Sequence, residues 1–216
     1  METQMTAQAH KGIFFTFEGS EGSGKSTQIQ MVKQYLESLG KKVVFVREPG
    51  GVKISEHIRD ILLDVRNTDM TDECEMLLYM AARSQLVREV IQPALRKGKI
   101  VLCDRYLDST LAYQGYGSGV DLKMIRTVGA FATFGITPDL TFIFDLSVAK
   151  GMARLRGTRD RIERRATAYH KRVRKGYQTI AAGHKKRVKL IDASKDKATV
   201  RKVVQTHLDN FFRQKK

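Results

Sequence analysis

Short, nearly continuous apolar runs alternate along this chain with longer stretches in which apolar residues recur every three or four positions. The runs are 13–18 (Ile-Phe-Phe-Thr-Phe-Glu), 43–48 (Val-Val-Phe-Val-Arg-Glu), 100–105 (Ile-Val-Leu-Cys-Asp-Arg), 140–145 (Leu-Thr-Phe-Ile-Phe-Asp) and 188–192 (Val-Lys-Leu-Ile-Asp). A strand covered on both faces reads this way, whereas a half-exposed strand alternates. The pattern therefore predicts an α/β fold, a five-stranded parallel sheet with helices on both faces. Helical spacing predicts helices over 25–39 (Ile29, Val32, Leu36 and Leu39, with Gly40 as stop), 54–63, 72–97, 147–156, 162–182 and 197–212. Thr71 caps the third, and Pro93 is expected to bend or shorten its end. A short helix is expected over 108–113, then a turn through Gly115, Gly117 and Gly119, then a helix to about Phe134. There is no internal repeat.

Most of the runs end in a polar residue: Glu18, Arg47-Glu48, Asp104-Arg105, Asp145 and Asp192. Open α/β sheets place their ligand beyond the carboxyl ends of the strands, so these residues are expected around one crevice. The loop leaving the first strand, Gly19-Ser20-Glu21-Gly22-Ser23-Gly24-Lys25-Ser26, with Thr27 after it, fits G-x-x-x-x-G-K-[ST]. Its glycines let the backbone approach a nucleotide triphosphate closely, and the following helix contributes its positive N-terminus. Lys25 is then expected at the β- and γ-phosphates, and the Ser26 hydroxyl at Mg²⁺. Strand, glycine loop and helix are the setting that such a motif requires.

Other strand ends add chemistry. Arg47, beside Glu48, Pro49 and a Gly-Gly turn, offers a bidentate fork for phosphate. Asp104 at the end of an apolar strand suits water-bound Mg²⁺ or a base, and Arg105 can neutralise phosphate charge. Tyr79 and Arg83 lie four residues apart, on one helix face, where they suit either a nucleobase or plain packing. Ser109, Tyr113 and Gln114 supply donors and acceptors on the next short helix. Residues 150–163 carry Arg154, Arg156, Arg159 and Arg161 around Gly157. This segment is either a lid that closes over the transferring phosphoryl group or a basic exposed turn.

Charge is distributed unevenly. The net charge of +16 comes from residues 150–216, with 22 Lys/Arg against 5 Asp/Glu, while residues 1–149 are nearly neutral. A nucleic-acid surface, a polyphosphate lid and a solvated helical face all fit that block. The two cysteines, Cys74 and Cys103, read as reduced core thiols of a cytoplasmic protein. No uncharged apolar run approaches the ~18 residues of a membrane span, so no membrane partner is expected. Residues 1–11 read as a flexible tail and 12–216 as a single domain.

The chain resembles the thymidylate kinases, within the P-loop nucleoside monophosphate kinases. The resemblance is carried by Phe17-Glu18 with the glycine loop, Arg47-Glu48-Pro49-Gly50-Gly51, Glu75 to Arg83, Asp104-Arg105-Tyr106 with Asp108-Ser109, Tyr113-Gln114-Gly115, and Asp160-Arg161-Ile162-Glu163. It spans about residues 12–212. It implies a three-layer P-loop NTPase fold with an arginine-rich lid, and phosphorylation of dTMP to dTDP by ATP and Mg²⁺, on the way to dTTP. It assigns Arg47 and Arg105 to the dTMP phosphate, Tyr79 to stacking on thymine, Arg83, Ser109 and Gln114 to the base, and Tyr113 to the nucleoside. Glu18 and Asp104 would orient sugar, water or metal, with Pro49 in the acceptor-phosphate turn. Loop positions 20–23 carry no basic residue, which matches members whose catalytic arginine sits in the lid, here Arg154 or Arg159. The implied partners are dTMP, ATP and a second copy of the chain, and nucleic acid is not expected. The alternatives are a kinase for another nucleoside monophosphate, or a nucleic-acid-binding P-loop protein.

Overall fold

The computed structural model describes residues 11–155 and 157–215. The expected tail apart from Lys11, and Arg156 of the expected lid, lie outside the described residues. Five strands form one parallel sheet: β1 (Ile13–Glu18), β2 (Val43–Arg47), β3 (Ile100–Asp104), β4 (Leu140–Asp145) and β5 (Val188–Asp192). Their order is β2-β3-β1-β4-β5. The chain leaves β1 on one side of the sheet's centre and later returns to it on the other, so the carboxyl end of β1 is a switch point where a crevice opens. The register sets Phe17 beside Asp104 and Arg47 beside Asp104 across the three strands on that side.

Alternate strand residues feed two cores. On one face Phe15, Phe17, Leu102, Phe142 and Phe144 pack on α1 (Lys25–Ser38) and α9 (Lys197–Gln214) through Ile29, Leu36, Val204 and Leu208. On the other, Phe14, Val101 and Cys103 meet Leu86 at the end of α3 (Asp72–Leu86), together with Ile91 and Leu95 from the helical turns beyond it. Ile143 meets Val173, Tyr177 and Ile180 of α8 (Thr167–Gly183). Each fully buried side chain of this size contributes roughly 1.5–3 kcal/mol. α2 (Lys53–Leu63) lies against α3, which in turn touches α6 (Leu122–Ala132).

Several expectations need correction. Strands two and three stop one residue early, at Arg47 and Asp104. The single helix expected over 72–97 starts on the Thr71 cap, whose side chain accepts from Cys74 N, but widens into a π turn over Val87–Ile91. It resumes as α4 (Gln92–Arg96), with Pro93 in the first turn, where its missing N–H costs nothing. α5 (Leu107–Thr110) likewise runs into a π segment, Leu111–Gly117, which takes in Gly115 and Gly117 of the expected turn and leaves Gly119, at a positive φ, beyond it. α7 spans Val148–Arg154. The basic helix begins at Thr167, five residues later than expected, because Asp160 Oδ1 accepts from the backbone N–H groups of Ile162 and Glu163 and closes a turn there. Cys103 is buried as expected, but Cys74 is exposed on α3. Asp145 and Asp192 do not line the crevice: Asp145 is held by Arg174 of α8 at 2.7 and 2.8 Å, and Asp192 is exposed.

Candidate active site

The glycine loop is cast against backbone. Gly19 has a positive φ, and a Cβ there would lie 2.5 Å from the Phe144 carbonyl oxygen; one on Gly22 would lie 2.2 Å from that of Gly151 in α7. No other residue type fits those two positions. The loop ends on Gly24, from which α1 departs with Lys25 in its first turn and Ser26 and Thr27 exposed after it. Lys25 is buried, and its Nζ donates to the Gly19 and Ser20 carbonyls at 2.8 and 3.2 Å. Burial pulls its ammonium pKa down to about 8, helped by Arg105 and opposed by Asp104, Glu21 and Glu18.

A cavity of about 340 Å³ opens beside this loop at the carboxyl ends of β1, β2 and β3. Lys25, Ser26, Arg47, Asp104 and Arg105 line it together with Tyr79, Arg83, Ser109, Tyr113 and Gln114. The structure thus brings most of the residues singled out in the sequence to one wall system. Glu21, Gly22 and Pro49 line it as well. Glu18 lies completely buried and outside that lining, Ser20 and Ser23 are buried in the loop, and Arg159 is exposed and not part of the lining. Arg154, also exposed, reaches back from the end of α7 to donate to the Gly22 carbonyl at 3.3 Å.

The carboxylates divide by environment. Glu18 accepts from the Tyr106 N–H at 2.7 Å, Ser109 Oγ at 2.5 Å and Tyr177 Oη at 3.0 Å. Burial pushes its carboxyl up to about 7, Asp108 adds to the rise, and the Ser109 hydrogen bond opposes it. Burial also pushes Glu21 upward, but Arg105 and Lys25 outweigh it and hold this carboxyl below its ordinary range. Arg105 sits at a positive φ, donates to Glu21 Oε1 at 3.1 Å and to Tyr177 Oη at 3.2 Å, and lies over the Tyr113 ring. Its ion pair is therefore with Glu21, not with the neighbouring Asp104. Asp104 Oδ1 is buried with no hydrogen-bond partner among the described residues. With the Ser26 hydroxyl it provides hard oxygen donors on the same cavity, a pair that fits Mg²⁺ completed by phosphate and water oxygens.

Three arginines, Arg47, Arg59 and Arg83, line another part of the cavity. Arg47 Nη2 donates to both Glu56 carboxylate oxygens at 2.9 and 2.8 Å, and its Nη1 donates to the Pro49 carbonyl, which Arg59 also reaches at 3.0 Å. Arg83 is buried, donates to Glu48 Oε2 at 2.7 Å and Thr110 Oγ1 at 3.1 Å, and stacks over Tyr106. Burial pushes the Glu48 carboxyl up to about 7 against the pull of that guanidinium. Sequence reasoning missed four contributors. Arg59, Asp160 and Glu163 line the cavity, and Tyr177 joins Glu18, Ser109 and Arg105. Nothing local marks Tyr177, whose partners lie far along the chain.

Comparison with known proteins places this arrangement in a family. The family model described as Thymidylate kinase matches residues 17–204. Relatives named Thymidylate kinase include one from an Exiguobacterium species, 49% identical over 184 residues, covering 84% of this chain and 87% of that one. Another, from Pelotomaculum thermopropionicum, is 47% identical over 210 residues, covering 94% and 97%. Among solved structures, thymidylate kinase from Ehrlichia chaffeensis superposes with a TM-score of 0.75 at 34% identity, covering 92% of this chain and 98% of that one.

Proposed function

This chain belongs to the thymidylate kinase family and so phosphorylates dTMP with ATP as co-substrate, and we propose a division of labour among its residues. The observation that carries it is the single cavity on which Lys25, Arg47, Arg105 and Asp104 meet Tyr79, Arg83 and Gln114. A cationic end beside a glycine loop suits two phosphate groups brought together, and an aromatic–amide end suits a base.

The loop from Gly19 to Thr27 wraps the ATP phosphates, with Lys25 at the transferring group. Arg47 and Arg105 hold the dTMP phosphate. An acceptor that is already an ionised phosphate needs no strong base, so alignment and charge neutralisation do most of the catalysis. Ser26 and Asp104 would hold Mg²⁺, which when bound neutralises charge on the β- and γ-phosphate oxygens. Tyr79 stacks on thymine, while Ser109, Tyr113 and Gln114 complete the nucleoside site. Arg83 has five N–H donors and uses three, on Glu48, Met80 and Thr110, which leaves two for the base. Glu18 positions Ser109 through the hydrogen bond it accepts from that hydroxyl. Of the lid arginines, Arg154 is favoured for the transfer by its contact with the loop at Gly22.

A homodimer is part of the same reading. Ile54, Ile61, Leu77, Met124 and Phe131 are large, exposed and apolar, and they lie on α2, α3 and α6, which pack in that order. Exposed apolar side chains on three helices packed in sequence suit a second copy of the chain. No described helix is long and apolar enough to cross a membrane, and the compartment proposed is the cytoplasm. The test is ADP release with ATP, Mg²⁺ and a panel of dTMP, dUMP, dCMP and AMP. Clear preference for dTMP supports the assignments, and preference for AMP overturns the base site.

A further inference from the structure

A glutamine amide has one accepting edge and one donating edge, and which of them faces a base decides which bases fit. Gln114 lines the cavity beside Tyr79 and Arg83. Its Nε2 donates to Glu75 Oε1 at 2.8 Å. Glu75 is completely buried on α3, one turn before Tyr79, and is not part of the cavity wall. Its other oxygen accepts from Arg161 Nη2 at 2.5 Å and Arg165 Nη2 at 2.9 Å. A carboxylate engaged by two guanidinium groups has only acceptors to offer, so the edge of Gln114 that meets it must be the NH₂. The carbonyl edge is the one left over.

We infer that Glu75 is a specificity-determining positioning residue: by holding the NH₂ of Gln114, it turns the amide carbonyl toward the nucleobase. This rests on the acceptor site proposed above. Thymine and uracil carry a hydrogen on N3 and can donate to that carbonyl. Cytosine presents a lone pair at N3, so two acceptors face each other and neither is satisfied. An unsatisfied buried polar group is costly, and sites built around such a hydrogen bond strongly reject the analogue that lacks it. Arg161 also grips the Leu62 carbonyl at 2.8 Å, and Arg165 grips Asp72 and Ser118. Loss of the Glu75 charge therefore loosens that segment too, but for every acceptor alike, and the effect divides out of a ratio of acceptors.

The experiment is kcat/KM for dTMP, dUMP and dCMP with the wild-type enzyme and Glu75→Gln. A glutamine at 75 can present either edge, which frees Gln114 to turn over. The dTMP/dCMP ratio is expected to fall at least tenfold, while dTMP/dUMP stays within twofold. An equal loss on all three acceptors overturns the inference and leaves Glu75 a structural residue. Adding Gln114→Leu separates the cases again: the double variant should discriminate no worse than Gln114→Leu alone, and additive losses overturn the coupling. Should Glu75→Gln fail to fold, hydrogen exchange of the Gln114 side-chain amide in ¹⁵N-glutamine wild-type protein decides. Protection is expected, and exchange at the free-amide rate overturns the hold by Glu75. Absence of wild-type turnover on dTMP would sink the acceptor reading, and the exchange measurement would still judge that hold.

Discussion

Gly22→Ala is the substitution that most directly tests the seating of the phosphate loop. Gly22 adopts φ +67°, and a Cβ there would lie 2.2 Å from the Gly151 carbonyl oxygen. The left-handed backbone alone costs an alanine roughly 1–2 kcal/mol. Ordinary contact begins near 3.4 Å, so the loop and α7 must also part by about 1 Å, a displacement that costs on the order of 10²-fold when it reaches reacting groups. The expected outcome is a fall of ~10²-fold or more in kcat/KM for ATP at saturating dTMP, by coupled ADP release. A loss of ~1–3 kcal/mol in stability should lower the melting temperature by several degrees. Gly151→Ala is the matched control, because its Cβ would lie 2.5 Å from the Glu21 carbonyl oxygen on a backbone without positive φ. It should reproduce most of the kinetic loss with a smaller thermal shift. A Gly22→Ala enzyme within threefold of wild type would refute the reasoning, since the loop could then move freely without consequence.

Further outcomes rest on single contacts. Arg83→Ala leaves the buried Glu48 carboxyl at the cavity wall without its guanidinium partner and should cost ~3–5 kcal/mol by urea unfolding; a loss under 1 kcal/mol would contradict the burial of that pair. Lys25→Ala should lower kcat by about 10²–10³-fold, and unchanged turnover would remove Lys25 from the transfer. Arg154→Ala should slow turnover at least tenfold while Arg159→Ala stays within threefold, in the same assay; the reverse order would move the catalytic role to Arg159. Glu18 titrates near 7 when folded, against an ordinary 4.5, so the folded chain holds the extra proton between those values and the Glu18 contribution to stability falls as pH rises through that window. Glu18→Gln removes the titration, so its stability relative to wild type should rise between pH 5 and pH 8, by at most ~3 kcal/mol. A pH-independent difference in urea midpoints would contradict that shift.

The sheet was legible because strands covered on both faces leave continuous apolar runs, and the glycine loop because its geometry admits few residues. The π segments at Val87–Ile91 and Leu111–Gly117 were not, since one extra residue per turn barely disturbs an apolar period read over a few turns. The late start of α8 was hidden by helix-forming residues at 162–166, which a single aspartate turn overrides. At the site, Tyr79 and Arg83 drew attention by their spacing. Glu75, one turn earlier on that face, did not, because the reason for a buried glutamate lies in Gln114, Arg161 and Arg165. Asp145 shows the converse. It ends a strand as a crevice residue should, yet Arg174 claims it from a helix that the strand itself does not announce.

Gly19 is set against the carbonyl of Phe144 on β4, and the loop it opens therefore takes its shape from the sheet. Ordering a free backbone costs roughly 1–2 kcal/mol per residue. Here that disorder is surrendered when the strands assemble, long before a nucleotide arrives. The nucleotide meets a finished mould, and the heat and rate of its capture should carry little signature of loop rearrangement.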